Sequence, residues 1–208
     1  MITNYRDLSI GKYLDIQAAI KEEAEEIDQM VKVLSILTGK TVDNLMMIPI
    51  VKFTELSRKL AFLYESIEPS KRLEKYYKVG GFELIPTIEV PKMVTAQYVD
   101  FQSFSKFGDT KIVELMSTIL IPKGKKYNDG YDILDVQKAI RENLSVTDVI
   151  TLSAFFLRQW HRSIRAMLTC SRWLVMMTTK KKSMERKEKI REIDKMIAML
   201  PNGVGWNV

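Results

Sequence analysis

SVTDVITLSAFFLRQWHRSIRAMLTCSRWLVMM, from Ser145 to Met177, holds the chain's only histidine, its only cysteine and two of its three tryptophans. Ser145 and Asp148 have the S-x-x-D spacing of a capping box, which satisfies backbone groups that a first helical turn leaves open. No proline or glycine follows until Pro201. One very long helix, or two with a bend near Thr178 and Thr179, is therefore predicted over residues 146–200. Val149, Leu152, Phe156, Trp160, Ile164, Met167, Ser171 and Leu174 recur at spacings of three and four, the stripe by which a helix packs into a bundle. Cys170 borders this stripe and is expected to be an inert buried thiol. His161, one turn from Leu157 and from Arg165, is expected at the margin of the core.

The same stretch carries a second pattern. Arg158, Arg165 and Arg172 are separated by sevens and Arg162 lies one turn after Arg158, so the four guanidinium groups leave one side of the helix. Lys180, Lys181 and Lys182 extend this basic strip. A solvated face opposite a core accounts for such a pattern; the functional alternative is contact with a partner's carboxylates or with backbone phosphates. Glu185, Glu188, Glu192 and Asp194 are interleaved with the later cations and would repel phosphate, which favours a protein partner over DNA or RNA. Nucleic-acid binding by the basic C-terminal helix is the runner-up reading. In the tail PNGVGWNV, Trp206 is either an anchor for a partner's pocket or a side chain docked on its own domain. The candidate partner-binding set is thus Arg158, Arg162, Arg165, Arg172, Lys180, Lys181, Lys182 and Trp206.

Working outward, Ser9 can cap a helix reaching Lys21, and EEAEEIDQMVKVLSILTG continues helical with Ile27, Met30, Val31, Leu34 and Leu37 as its apolar stripe, stopped by Gly39. Thr41 caps a brief turn, TVDNLMMIP, and Pro49 opens a further helix through FTELSRKLAFLYE with Ile50, Phe53, Leu56, Leu60 and Leu63 on its inner face. PSKR, residues 69–72, is the exit from this unit. KYYKVGGFELIPTIEV then has β-type residues on both sides of Gly80-Gly81, the signature of a tight hairpin. A lone hairpin is marginal in water, so this one must lean on helices or join strands of another copy. Helices return with KMVTAQYVDFQSFSK, with TKIVELMSTIL for which Asp109 is the expected cap, and with YDILDVQKAIREN after the loop IPKGKKYNDG. The expected fold is mainly α: a multi-helix bundle with one small β-hairpin and a long C-terminal helix or helix pair. Its expected divisions are an N-terminal helical unit at 1–72, a hairpin insertion at 73–91 and a C-terminal helical unit at 92–208.

A chain of 208 residues with 46% hydrophobic and 28% charged residues can bury a core without metals or disulfides. Its single cysteine excludes an intramolecular disulfide, so nothing demands an oxidising compartment, and synthesis in the cytoplasm is expected. The opening MITNYRDLSIGKY lacks the apolar run of a signal peptide. LMMIPIV and LIPTI fall far short of the roughly 20 apolar residues that span a bilayer, and no membrane insertion is expected. Net charge is +6, unevenly spread: DIQAAIKEEAEEID carries six acids against one lysine, whereas TKKKSMERKEKIREIDK is mostly basic. Opposite poles suggest head-to-tail contact between copies.

Catalytic constellations are thin. His161 and Cys170 lie nine residues apart in one helical pattern, about 13.5 Å along an axis rising 1.5 Å per residue, too far to share a proton. One thiol and one imidazole do not make a structural zinc site. KVGGFE and IPKGKK lack the glycine spacing of phosphate-binding loops. No cofactor is expected, and the chain is expected not to be an enzyme.

Two stretches resemble a known class of proteins. KYLDIQAAIKEEAEEIDQMVKVLSILTGKTVDNLMMIPIVKFTELSRKLAFLYE, with its "vLSILTGkt", "vdnLmmIPi" and "f.eL...l.FL" parts, resembles tail assembly chaperone-like proteins among tailed-phage morphogenesis proteins. GKKYNDGYDILDVQKAIRENLSVTDVITLSAFFLRQWHRSI is similar to the C-terminal region of related proteins of crAss-like and other Bacteroidetes-infecting phages. The resemblance implies a non-enzymatic virion or assembly protein. Its implied partners are other phage structural proteins, such as a portal, tail or packaged cargo component, met in several copies, with DNA contact by the basic helix as an open question. It implies a place in the host cytoplasm during assembly and then in the virion. The basic C-terminal helix departs from a purely transient tail assembly chaperone, which is the alternative. No catalytic residues are carried over.

Overall fold

The computed structural model describes residues 2–22, 25–178 and 184–199. Among these the chain forms α1 (Ile10–Glu22), α2 (Glu26–Thr38), α3 (Val42–Met46), α4 (Ile50–Arg58), β1 (Tyr77–Val79), β2 (Phe82–Pro86) and α5 (Thr95–Ser105). It continues with α6 (Ile112–Ile119), β3 (Leu120–Pro122), α7 (Ile133–Asn143), α8 (Val146–Thr178) and α9 (Met184–Met199). The fold is mainly helical with a small antiparallel sheet, as the sequence pattern predicts. The long C-terminal segment is the pair α8 and α9.

Most helix boundaries follow from short polar or glycine signals. Gly39 ends α2 at φ 72°, its N–H donating to the Ser35 carbonyl, a left-handed cap that glycine adopts without a Cβ penalty. Thr41 accepts from the Asn44 N–H at 3.3 Å to start α3, and Asp132 accepts from the Leu134 N–H at 2.8 Å to start α7. Ser145 Oγ accepts from the Asp148 N–H at 3.0 Å and donates to the Asp148 carboxylate at 2.8 Å. That cap launches α8.

Other expectations are corrected. Asp109 does not cap α6: Gly108–Lys111 wind into it as a 3-10 turn, and Lys111 stands at the cap position without a side-chain bond. α4 stops at Arg58, and Ala61–Tyr64 form a separate 3-10 turn that buries Phe62. Ile27 and Ile50 are 65% and 75% exposed, not core.

The sheet is larger than the hairpin alone. Gly80 and Gly81 take φ of 53° and 86°, the positive pair that a two-residue turn requires, and set Tyr77 opposite Leu84 and Val79 opposite Phe82. β3 then pairs antiparallel with β2, Leu84 opposite Pro122 and Pro86 opposite Leu120. Leu120–Pro122 had the apolar pattern of a helix end, yet Leu120 is extended at φ −105°, ψ 105° and is fully buried. The hairpin thus gains its third strand from within the chain. Its turn also rests on α7, since a Cβ on Gly80 would stand 2.7 Å from the Ala139 Cβ.

Two compact units divide the chain, one of Met1–Thr87 with Val94–Leu152, the other of Ile88–Met93 with the residues from Ser153 onward. The core of the first gathers Leu8, Ile16, Leu34, Leu45, Phe62 and Val146. Its N-terminal segment crosses the α7–α8 junction: the Ile10 N–H donates to the Leu144 carbonyl and the Val146 N–H to the Leu8 carbonyl, both at 2.9 Å. Beside this crossing α1 lies so near α7 that a Cβ on Gly11 would meet the Arg141 carbonyl oxygen at 2.5 Å. Arg141 pairs with Asp15 at 2.6 Å. The buried Gln97 donates to the Thr118 carbonyl at 2.6 Å and so keeps its amide satisfied. In the second unit, Arg172 of α8 meets Asp194 of α9 at 3.2 Å, and Ile193 is buried.

Gly80→Ala introduces both a positive-φ penalty and a clash with Ala139, whereas Gly81→Ala meets open space. Urea denaturation is expected to show Gly81→Ala costing about 1 kcal/mol and Gly80→Ala about 2 kcal/mol or more. Burial pushes the Tyr77 phenol up to about 12, and burial with donation to Asp100 at 2.8 Å raises that of Tyr127. Unfolded tyrosines ionise near pH 10 while these two hold their protons, so stability is lost as pH rises from 10 through their folded values. Tyr127→Phe is expected to flatten that alkaline loss, as read from urea midpoints at stepwise pH.

Candidate partner-binding surface

α8 is one uninterrupted helix of 33 residues, but burial does not follow its apolar stripe to the end. Val149, Leu152 and Phe156 are buried, Trp160 and Ile164 are half-buried, and Met167 is 61% exposed. The Phe156 and Trp160 rings stack at 6.0 Å with 28° between their planes. Beyond Trp160 the helix keeps its form, with Leu168 and Val175 half-buried and Met167 exposed. The side chain of Leu174 lies outside the described residues.

The structure overturns the reading of Cys170. Its thiol is exposed, although the neighbouring Ser171 on the stripe is half-buried. His161 is half-buried, where the helical angle puts it. Since α8 is continuous from Val146 to Thr178, imidazole and thiol stay separated by their nine-residue rise.

The basic strip is not uniform. Arg158 is exposed, with its Nε donating to the Ala154 carbonyl at 3.2 Å and its guanidinium 4.4 Å over the Phe155 ring. A fork seated over an aromatic ring and bonded to a carbonyl has less freedom to lose when it meets a carboxylate. Arg162 is exposed one turn on, whereas Arg165 is half-buried and its Nε is buried. Arg172 spends part of its charge on Asp194, with the two side chains 43% and 45% exposed. The structure therefore presents Arg158 and Arg162 together, sets Arg165 deeper and ties Arg172 to α9. Lys180, Lys181, Lys182 and Trp206 lie outside the described residues. On α9, Lys187, Arg191 and Lys195 are exposed, but so are Glu188 and Glu192.

A second surface escaped the sequence reading. Around the turn from α3 to α4, Met46, Met47, Ile50 and Val51 are 61%, 88%, 75% and 67% exposed. Ile50 had been assigned to an inner face. The signal was present as two adjacent apolar pairs: successive helical residues are turned by about 100°, so neither pair can direct both members to one core.

Among the described residues, no group of three or more His, Cys, Asp or Glu side chains is arranged to hold a metal ion. No described helix is long and apolar enough to cross a membrane. No protein-family model matches this chain, and no curated protein or solved structure is significantly similar to it.

The exposed thiol gives a direct check on burial along α8. In native protein, Cys170 is expected to react with Ellman's reagent within a few-fold of its rate in denaturant, because its side chain is exposed to the reagent. A native rate about 100-fold slower or more would place the thiol in a core.

Proposed function

We propose that this chain is a non-enzymatic phage virion or assembly protein that works by protein–protein contact, with the Arg158 and Arg162 face of α8 as a contact surface. One observation carries the contact reading: α8 stays helical through Thr178 and sets Arg158 and Arg162 one turn apart on one side of the helix, both exposed. A preformed helix that offers two guanidinium forks one turn apart suits the acidic surface of another structural protein. The phage assignment rests on the sequence resemblance, whose second stretch runs through Arg158 and Arg162. A portal, tail or packaged cargo component is the partner this reading names. Nucleic acid fits less well, since Arg172 is engaged by Asp194 and Glu188 and Glu192 stand exposed among the cations of α9.

Mass spectrometry of purified virions and of assembly intermediates tests the reading. The chain is expected at structural stoichiometry in virions; presence in intermediates alone identifies the departing chaperone, and absence from both rejects the phage role. Arg158→Glu with Arg162→Glu is expected to lower incorporation at least about tenfold, the scale of two lost charge-assisted contacts, while leaving the melting temperature unchanged. A titration with duplex and single-stranded DNA at stepped salt is expected to show no salt-dependent binding at micromolar protein.

A further inference from the structure

We propose that the acidic end of the α1–α2 pair of one copy docks on the Arg158 and Arg162 face of α8 of the next copy, so that copies join head to tail. The proposal rests on the contact reading above and names a partner for that surface. The copy at the end of such a row keeps its arginine face free for the other structural protein.

The acidic surface is built from the end of α1 and the start of α2. Gln29 of α2 donates to the Ile20 carbonyl of α1 at 3.2 Å and so holds the two ends together. Glu22, Glu25, Glu26 and Asp28 are all exposed there, and none takes part in an ion pair among the described residues. The cations nearest in the chain are Lys21, exposed, and Lys32, half-buried. Glu26 and Asp28 lie in the first turn of α2, where carboxylates complement the helix dipole and need no partner. Glu22 has no such reason. It stands in the last turn of α1, the end at which the dipole disfavours an acid, and Glu25 at the N-cap of α2 makes no side-chain cap bond. Residues that break a local rule without local compensation mark function more often than chance. Ile27 is exposed among these acids and gives the surface an apolar contact.

The complement is the α8 face. After Asp148 the helix carries no acid through Thr178. Arg158 and Arg162 are exposed one turn apart and make no ion pair among the described residues. Arg165, half-buried, adds charge of the same sign, and Ala166 and Thr169, both exposed and small, continue that side of the helix without obstructing approach. Other exposed acids of the chain stand beside cations: Glu55 lies between Lys52 and Arg58, and Glu188 and Glu192 lie among Lys187, Arg191 and Lys195. The α1–α2 end is therefore the surface of this chain whose charge best answers α8. The two surfaces differ, so the contact is heterologous and leaves one of each free for a further copy.

The test is sedimentation equilibrium of the full-length chain from about 1 to about 100 µM, at about 50 mM and about 500 mM salt. Association beyond the monomer is expected at low salt and is expected to weaken at high salt. R158E/R162E and E22K/E25K are each expected to weaken it at least about tenfold, with melting temperatures close to the unmodified chain. An equimolar mixture of the two variants is expected to associate again, because the reversed face of each meets the unreversed face of the other, and so is the chain carrying all four substitutions. A chain monomeric at low salt, association indifferent to either pair, or reversals without restoration would each overturn the proposal. If the chain is monomeric while R158E/R162E still lowers incorporation into virions, this inference fails and the assembly reading stands. If association behaves as expected but the chain is absent from virions and intermediates, only the phage role fails.

Discussion

Two backbone hydrogen bonds, Ile10 to Leu144 and Val146 to Leu8, fasten the start of the chain to the junction between α7 and α8. They flank Ser9 and Ser145, which face each other as a single antiparallel bridge. Ser145 is at the same time the cap of α8, so one residue both closes the long-range contact and sets where the longest helix begins. The closure spans most of the first unit, but loop entropy grows only by about 0.6 kcal/mol per doubling of length. What it needs is close approach of two backbones. Gly11 permits that approach, because any larger residue would meet the Arg141 carbonyl. Arg141 then turns its guanidinium back to Asp15, although that ion pair is half-exposed and contributes little beside the packing of Leu8, Leu144 and Val146.

The same helix α7 organises the sheet. Ala139 receives the hairpin turn at Gly80, while on α6 the end at Ile119 becomes strand β3 without an intervening residue. A two-stranded ribbon would leave Leu84 half-covered; with β3 paired to β2 and helices near, Leu84 and Leu120 are both fully buried. The prolines fall where the ladder tolerates them, Pro86 and Pro122 each closing its strand. Buried polar groups follow the same economy of position. Gln97 reaches the Thr118 carbonyl near the point where α6 gives way to β3, a place where helix geometry leaves carbonyls without intrahelical partners.

Much of this architecture was legible because its signals are local. Gly39, Thr41, Gly80-Gly81 and the Ser145–Asp148 pair each specify a backbone conformation from within a few residues, and each does so here. Asp132 did the same for α7 and went unread, hidden in a loop rich in turn residues. The failures share another cause. Leu120–Pro122 became a strand because β2 offered a partner more than 30 residues away, a fact no window around Leu120 contains. Ile27, Ile50 and Cys170 matched helical periodicities but lie where no second element covers them. Periodicity tells which side of a helix is apolar; it does not tell how far along the helix the cover extends. Of the candidate surface, Arg158 and Arg162 were legible for that reason, and the ion pair that removes Arg172 from the strip was not, since it depends on the return of α9.

The partly covered length of α8 after Phe156 has a physical rationale of its own. Helix nucleation is the costly step, and the Ser145 cap with the buried turns from Val149 to Phe156 provides it. Each later residue then adds a hydrogen bond for one residue fixed, so elongation through Arg158 and Arg162 proceeds with Trp160 and Ile164 only half-buried. Leucine, methionine, alanine and arginine, which recur from Leu157 to Leu168, are among the residues that lose least on entering a helix. The side chains of Arg158 and Arg162 are thereby carried one turn apart on a preordered backbone. A partner that meets this face would not have to supply the entropy of folding it, only that of the side chains themselves. This separates α8 from a disordered basic tail of the same charge: its exposed arginines have fixed spacing, and a partner of the proposed kind could be selective for that spacing as well as for the charge.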